Sequence, residues 1–443
     1  MIIKSFRVGD IRFPTSLTAT GSDAMNKNAD HSAAYLILET DSDLEGHGMT
    51  FTIGRGNDLV TYAISYFGKY LTGKKVEDLT KNIGETWKWL VSDSQLRWVG
   101  PEKGVIHLAL CAAINAIWDL WAKIEKKPLW KLVCDMTPEQ FVDTIDFRYL
   151  TDALTREEAI QILKNADRGK DERIAEVLNN TAVPAYTTSA GWLGYSDEKA
   201  VALLKDAVER GYTHFKFKVG SSIEDDKRRL KLAREVVGEE GVLMIDANQV
   251  WSVPEAIEWV KALKEFRPYF IEEPTSPDDI LGHLEIKKAL KEDGIKVATG
   301  EMCQNRVMWK QFLASGSIDI AQIDACRLGG VNEVLAVLLL AKKFDVPIVP
   351  HSGAIGLPEY TQHLSTIDYI AVSGKKSLLE YVDHAPEHFE HPSVVKNGHV
   401  VTPLEPGYSV SIKKSAWDLY MFPNGTFWEN HRREKEVSNL ERS

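Results

Sequence analysis

The chain has 443 residues, 44% of them hydrophobic and 26% charged, the mixture of a globular protein with room for more than one core. Its formal net charge of -11 argues against nucleic acid or an anionic membrane as the main partner. Four cysteines, Cys111, Cys134, Cys303 and Cys326, show no CxxC spacing, which excludes a zinc ribbon or dithiol redox motif and fits a reducing compartment.

The first residues lack a long apolar core, so a secretory leader is not expected and a cytoplasmic location is. No uninterrupted run of about eighteen apolar residues occurs, so no membrane span is expected either. Residues 2–13, 33–40 and 47–53 read as strands. Between the first two lies the polar stretch TSLTATGSDAMN, long enough to suggest a binding loop or lid. From Asn57 to about Met136 the pattern turns helical. It is clearest over residues 104–126, where Ile106, Leu108, Leu110, Ile114, Ile117, Trp118 and Trp121 spread around the cylinder, as in a buried helix. The run GKYLTGKK nearly matches a phosphate-binding loop, but Lys75 stands where Ser or Thr is needed and no strand precedes it.

Residues 150–180 are charged and helix-prone. A new rhythm follows. Strands are predicted at 183–187, 215–219, 242–246, 269–272, 296–299, 318–323, 347–350 and 377–382, most of them separated by helical stretches such as 197–209, 255–266 and 331–344. Such alternation means parallel β/α units, and about eight of them over about 200 residues mean a barrel of the TIM type. An open doubly wound sheet is the alternative, but it would want a glycine-rich phosphate turn after its first strand, and none is present. Beyond about residue 385 the chain is rich in proline and charge, with little periodicity.

Active sites of parallel barrels sit at the carboxyl ends of the strands. The second strand, HFKFKVG, places Lys216 and Lys218 on one face and Phe215 and Phe217 on the other. A solvated lysine face would explain that run alone. Repulsion between the two ammonium groups, together with desolvation, is expected to lower a lysine pKa toward that of a base. The next strands end in Asp246-Ala247-Asn248, Glu272-Glu273-Pro274, Thr299-Gly300-Glu301, Gln322-Ile323-Asp324 and His351-Ser352-Gly353, and the eighth carries Glu380. Buried carboxylates are costly unless paired or metal-bound, and solvated ones would not recur in register. Asp246, Glu272 and Glu301 come from adjacent strands, and three hard oxygen ligands with open positions suit Mg²⁺. Glu273 is expected to point away from them by alternation. Asp324 beside His351 would fix the imidazole tautomer. A metal flanked by lysine on one side and histidine on the other suits removal of a proton α to a carboxylate.

The order KxK, DxN, EEP, GE, then Asp and His resembles the mandelate racemase subgroup of the enolase superfamily over essentially the whole chain. The runs SDSQLRWVGPEKG, AYTTS, IEEPTSPDD and ATGEMCQNRVM are similar to sugar-acid dehydratases of the L-fuconate and L-galactonate type. The resemblance implies an α/β fold, a modified (β/α)₇β barrel over residues 151–384 under an α+β capping domain of residues 1–150, with residues 385–443 returning to the cap. It implies Mg²⁺ on Asp246, Glu272 and Glu301, Lys218 as the base at C2, and Lys216 tuning that base and touching substrate. His351, held by Asp324, would be the acid at C3. Gly21, Ser22, Asp23, His31, Asn248 and Glu380 are implied to bind substrate. The implied reaction is loss of water from an acid sugar, L-galactonate first and L-fuconate as the alternative. A silent binding protein on the same fold would be missing a ligand or the base, and none is missing. Homo-association is left open.

Overall fold

The computed structural model describes residues 1–179 and 181–442, with side chains as far as Glu434. The N-terminal part is an antiparallel meander of β1 (Ile3–Arg12), β2 (Ser32–Thr40) and β3 (Glu45–Thr52) carrying helices. The helix Gly104–Ile124 lies against β3 because two glycines let it. A Cβ on Gly48 would sit 2.0 Å from the Ala112 carbonyl oxygen, and one on Gly46 would sit 2.4 Å from that of Ala116. By length and composition this helix could cross a membrane. However, 83% of its apolar window is buried inside the protein, so it serves as a core helix, with His107, Asn115 and Asp119 interrupting its apolar run.

The second part follows the predicted alternation. Its strands are β4 (Thr181–Tyr186), β5 (His214–Lys218), β6 (Val242–Asp246), β7 (Phe270–Glu272), β8 (Lys296–Thr299), β9 (Ile320–Ala321) and β10 (Leu379–Glu380). Parallel pairing runs β5-β6-β7-β8-β9, β10 pairs parallel with β4, and a parallel bridge joins Thr187 to Phe215. The seventh predicted strand shrinks to one bridge, Ile348 to Ala321. Pro347 and Pro350 flank it, and proline gives no N–H to a ladder. Helices follow the first seven strand positions, from Asp197–Glu209 to Leu357–Ile367, and no α-helix follows β10 until Lys414–Tyr420, which gives a (β/α)₇β barrel. Phe215 and Phe217 are buried in the apolar core, while Lys216 and Lys218 take the other face of β5.

The last segment touches both parts. β11 (Val395–Lys396) and β12 (His399–Val401) form a hairpin, and β12 pairs antiparallel with β4. Farther on, Phe422 N donates to Asp10 O at 2.7 Å, and Trp428 Nε1 donates to Arg12 O at 3.1 Å.

Two devices lock the cap to the barrel. Trp118 Nε1 donates to Asn332 Oδ1 at 2.8 Å. Around Arg306, which is 1% exposed, Glu102 (2.7 Å), Asp146 (3.0 Å) and Glu333 (3.1 Å) form a buried ion cluster, and His107 joins it through Glu333 at 2.7 Å.

Candidate active site

Register assembles the acids. Lys218 pairs with Asp246 across β5 and β6, and Asp246 with Glu272 across β6 and β7, so three strand ends come level. Glu301 follows β8 by two residues. Asp246, Glu272 and Glu301 each offer an oxygen within 4.8 Å of the others. Burial, then Asp246 close by, pushes the Glu272 carboxyl up to about 8. Its Oε1 has no partner, although Lys216 (2.6 Å) and Gln322 Nε2 (2.6 Å) both reach Oε2. An all-oxygen triad with an orphaned buried oxygen and excess negative charge is what a hard divalent cation fits. Glu273 stays out of the triad: Gln249 Nε2 donates to it at 2.9 Å, and burial followed by Glu301 holds its carboxyl well above the usual range.

The lysines differ from expectation. Burial and, for Lys218, the Lys216 ammonium do pull the pKa down, but nearby carboxylates outweigh them and both ammonium groups sit above their ordinary value. The main contributors are Glu272 and Glu380 for Lys216, and Asp246, at 2.5 Å, for Lys218. The strand pattern shows the two lysines adjacent; it does not show that acids from two neighbouring strands close on them.

Opposite Lys218 stands His351. Its Nδ1 lies 2.7 Å from Asp324 Oδ2 and its Nε2 3.3 Å from Glu301 Oε2. Burial lowers the imidazole, but Glu301 and then Asp324 overcome it and carry the pKa up to about 9. Asp324 is itself fixed by the backbone N–H groups of Cys326 and Arg327, at 2.7 and 2.8 Å.

Lys218 and His351 both line a cavity of about 360 Å³, with Glu301 and Asn248 among its walls and Gly21, Asp23 and His31 closing it from the cap side. Asn248 bridges the triad, donating through Nδ2 to Glu301 at 3.4 Å. Asp23 caps its own turn, accepting from the N–H groups of Met25 (2.7 Å) and Asn26 (2.6 Å). Ser22 is buried and does not line the cavity; its carbonyl accepts from Leu193 N at 3.0 Å. The loop is therefore packed: Gly21, Ser22 and Asp23 are all buried.

Lys216 and Glu380 lie a layer deeper, off the cavity wall. Lys216 is two residues back from the strand end, and its ammonium meets Glu380 at 3.1 Å. Both Glu380 oxygens are engaged by protein, Oε1 by Lys216 and Thr188 and Oε2 by Ser352 N at 3.0 Å. Gln322 stands in the predicted strand end but was given no role there, although it lies two residues before Asp324, on the same strand face by alternation. Trp192, His384 and Arg327 escaped the sequence reading altogether. They sit beyond strand ends, where no periodicity marks them. A larger hollow of about 520 Å³, lined by Val76, Trp121 and Met136 among others, belongs to the cap and holds none of these groups.

Residues 199–416 match the sequence family described as enolase C-terminal domain-like. An L-galactonate dehydratase of Hypocrea jecorina is 64% identical over 430 residues, 96% of either chain. The chain belongs to the enolase superfamily, in its mandelate racemase subgroup. The mitochondrial enolase superfamily member 1 of Homo sapiens is 49% identical over 431 residues, covering 96% of this chain and 97% of that one. The crystal structure of that human protein aligns with a TM-score of 0.95 at 48% identity, over 97% of this chain and 98% of the other. A Streptomyces coelicolor racemase with bound magnesium shares the enolase fold, with a TM-score of 0.72 at 23% identity over 93% of this chain and 97% of its own. In this enolase-superfamily chain the barrel supplies the charged groups at the strand ends, and the cap closes over them.

Proposed function

We propose that this protein is an Mg²⁺-dependent L-galactonate dehydratase, forming 2-dehydro-3-deoxy-L-galactonate and water. The observation that carries the chemistry is Lys218 facing the His351–Asp324 pair across one cavity, beside three convergent carboxylates. The observation that carries the substrate is the 64% identity over 96% of the chain to an enzyme of that name.

Asp246, Glu272 and Glu301 would hold the cation. When bound, it supplies positive charge for the substrate carboxylate and for the enediolate that forms from it. With Asp246 engaged by a cation, the carboxylate that raises the Lys218 pKa would be neutralised, and Lys218 Nζ, as the free amine, takes the proton from C2. The electron pair left at C2 moves toward the carboxylate and then expels the C3 hydroxyl. His351 Nε2 gives that hydroxyl a proton, so it departs as water, and Asp324 holds the imidazole by Nδ1 throughout. The remaining enol takes a proton at C3, releases the one on its C2 hydroxyl and becomes the 2-oxo acid. Lys216, enclosed between Glu272 and Glu380, keeps both acids in place beneath the base. Catalyst positions on opposite sides of the cavity also set stereochemistry: sugars inverted at C2 or C3 present the proton or the hydroxyl to the wrong group.

The test is kcat/KM for a panel of acid sugars, read as formation of the 2-oxo-3-deoxy product. L-galactonate is expected to lead, with lower turnover of L-fuconate. A higher value for L-fuconate would move the chain to that substrate with its mechanism intact. Absence of product from every acid sugar, with Mg²⁺ present, would make it a binding protein.

A further inference from the structure

On the cap side of the cavity, ring nitrogens lack partners. His31 Nδ1, Trp192 Nε1 and His384 Nδ1 are buried without a hydrogen bond. Their rings form a closed cluster, with centroids 5.5 Å apart for His31 and His384, 5.7 Å for Trp192 and His384, and 6.5 Å for His31 and Trp192. His31 is 3% exposed and Trp192 4%, and both line the cavity. Buried polar groups in native proteins are almost always paired, so an unpaired set around a cavity marks a place that a ligand completes.

The chemistry of the set is specific. Burial, followed by the repulsion of His384, His351 and Lys218, holds His31 well below the ordinary histidine value; burial brings His384 down to about 4. Both imidazoles are therefore neutral, each with one N–H and one lone pair, and the indole adds one N–H. A hydroxyl, which donates once and accepts twice, satisfies such a set; a carboxylate, which only accepts, does not. Gly21 keeps the ring edge open. Its φ is +78°, and a Cβ there would lie 2.2 Å from His31 Nε2.

Position selects the hydroxyl. The Trp192 ring centre lies 5.2 Å from Lys218 Nζ, so the cluster starts beside the base and runs toward the cap. In the reading above, the triad takes the carboxylate end and His351 the C3 hydroxyl, which leaves the tail of the sugar for the cap side. We propose that His31 and Trp192 bind the hydroxyl at the end of the substrate remote from its carboxylate, with His384 as the positioning residue behind both rings. This subsite, resting on the dehydratase reading, sets the preference for a terminal hydroxyl over its deoxy analogue. L-galactonate and L-fuconate differ only there. An apolar wall rejects an added hydroxyl weakly, whereas a hydrogen-bonding wall rejects the analogue that lacks it strongly.

The experiment measures kcat/KM for both acids in the Mg²⁺-loaded full chain, in wild type, Trp192→Phe, His31→Leu and His31→Gln. Trp192→Phe and His31→Leu are expected to lower the ratio of L-galactonate to L-fuconate by about ten-fold or more, and His31→Gln to recover part of it. Variants that lower both acids equally would show these rings to be packing and overturn the subsite. A ratio that rises would overturn it too. The wild-type ratio tests the substrate reading separately: a wild type that prefers L-fuconate refutes that reading, whatever the variants do. The sign of the change in the variants tests the subsite alone.

Discussion

This molecule buries two clusters of charge, and they are built on opposite principles. At the domain interface, every oxygen of Glu102, Asp146 and Glu333 has a partner, drawn from Arg306, Arg97, Arg148, His107 and backbone N–H groups. At the barrel mouth, acids outnumber their partners, and Glu272 Oε1 and Glu273 Oε1 are left unpaired. The effect on acidity is opposite as well. His107 and Arg306 overcome burial and draw Glu333 down to about 2, while burial and Asp246 push Glu272 up to about 8. Burial alone therefore does not distinguish the two clusters; the pairing of their acid oxygens does.

The contrast can be broken from the active-site side first. Removal of divalent cations by exhaustive chelation is expected to cost turnover a factor of at least about 10³, restored by Mg²⁺, because several kcal/mol of charge stabilisation go with the ion. Turnover surviving EDTA would remove the metal from the mechanism. Lys218→Ala is expected to lower kcat by about 10²–10⁴ and to stop exchange of the C2 hydrogen with solvent deuterium. His351→Asn should block dehydration while slow exchange continues. Exchange that persists without Lys218 and vanishes without His351 would reverse the two roles.

From the interface side, the loss is in stability. Arg306→Ala leaves three acids without their shared cation and is expected to cost about 3–5 kcal/mol, read as a fall in Tm. Glu333 gives the pH dependence. Its folded pKa lies below its unfolded one, so its contribution is complete above about 4.5 and is lost as pH falls toward about 2. It is on the order of 3 kcal/mol. The Tm gap between wild type and Glu333→Gln should therefore narrow on acidification through that window; a gap that widens would contradict the pairing. The smallest effect is expected from Glu272→Gln in metal-free protein, with stability within about 1 kcal/mol of wild type or above it, although activity is lost. A large destabilisation would make Glu272 structural.

The barrel was legible because two periodicities coincide in it: short apolar strands recur with helices between, and a charged residue recurs at seven of the eight strand ends. Lys218, Asp246, Glu272, Glu301, Asp324 and His351 converge for that reason, from six separate strand ends. Alternation also set Glu273 apart from its neighbour. Depth and direction were harder to read. Lys216 and Glu380 belong to the right strands yet sit below the cavity, because one step of alternation along a strand moves a side chain a full layer down the barrel. The lysines' acidity was misread because it depends on cross-strand neighbours that no single run contains. Trp192 and His384 lie in loops and meet His31 only through the fold.

The glycines of β3 have a consequence for kinetics. Because Gly46 and Gly48 bring the helix Gly104–Ile124 onto the strand, and that helix is tied to the barrel through Trp118 and His107, the roof over the site is continuous with its walls. Substrate entry therefore cannot come from the two domains rocking apart without unmaking buried ion pairs. Passage is then expected through the segment between β1 and β2, whose Gly21 and Asp23 line the cavity from the cap side. A proline or a cross-link placed in that segment is therefore expected to lower kcat by slowing product departure, with the groups at the strand ends still in position.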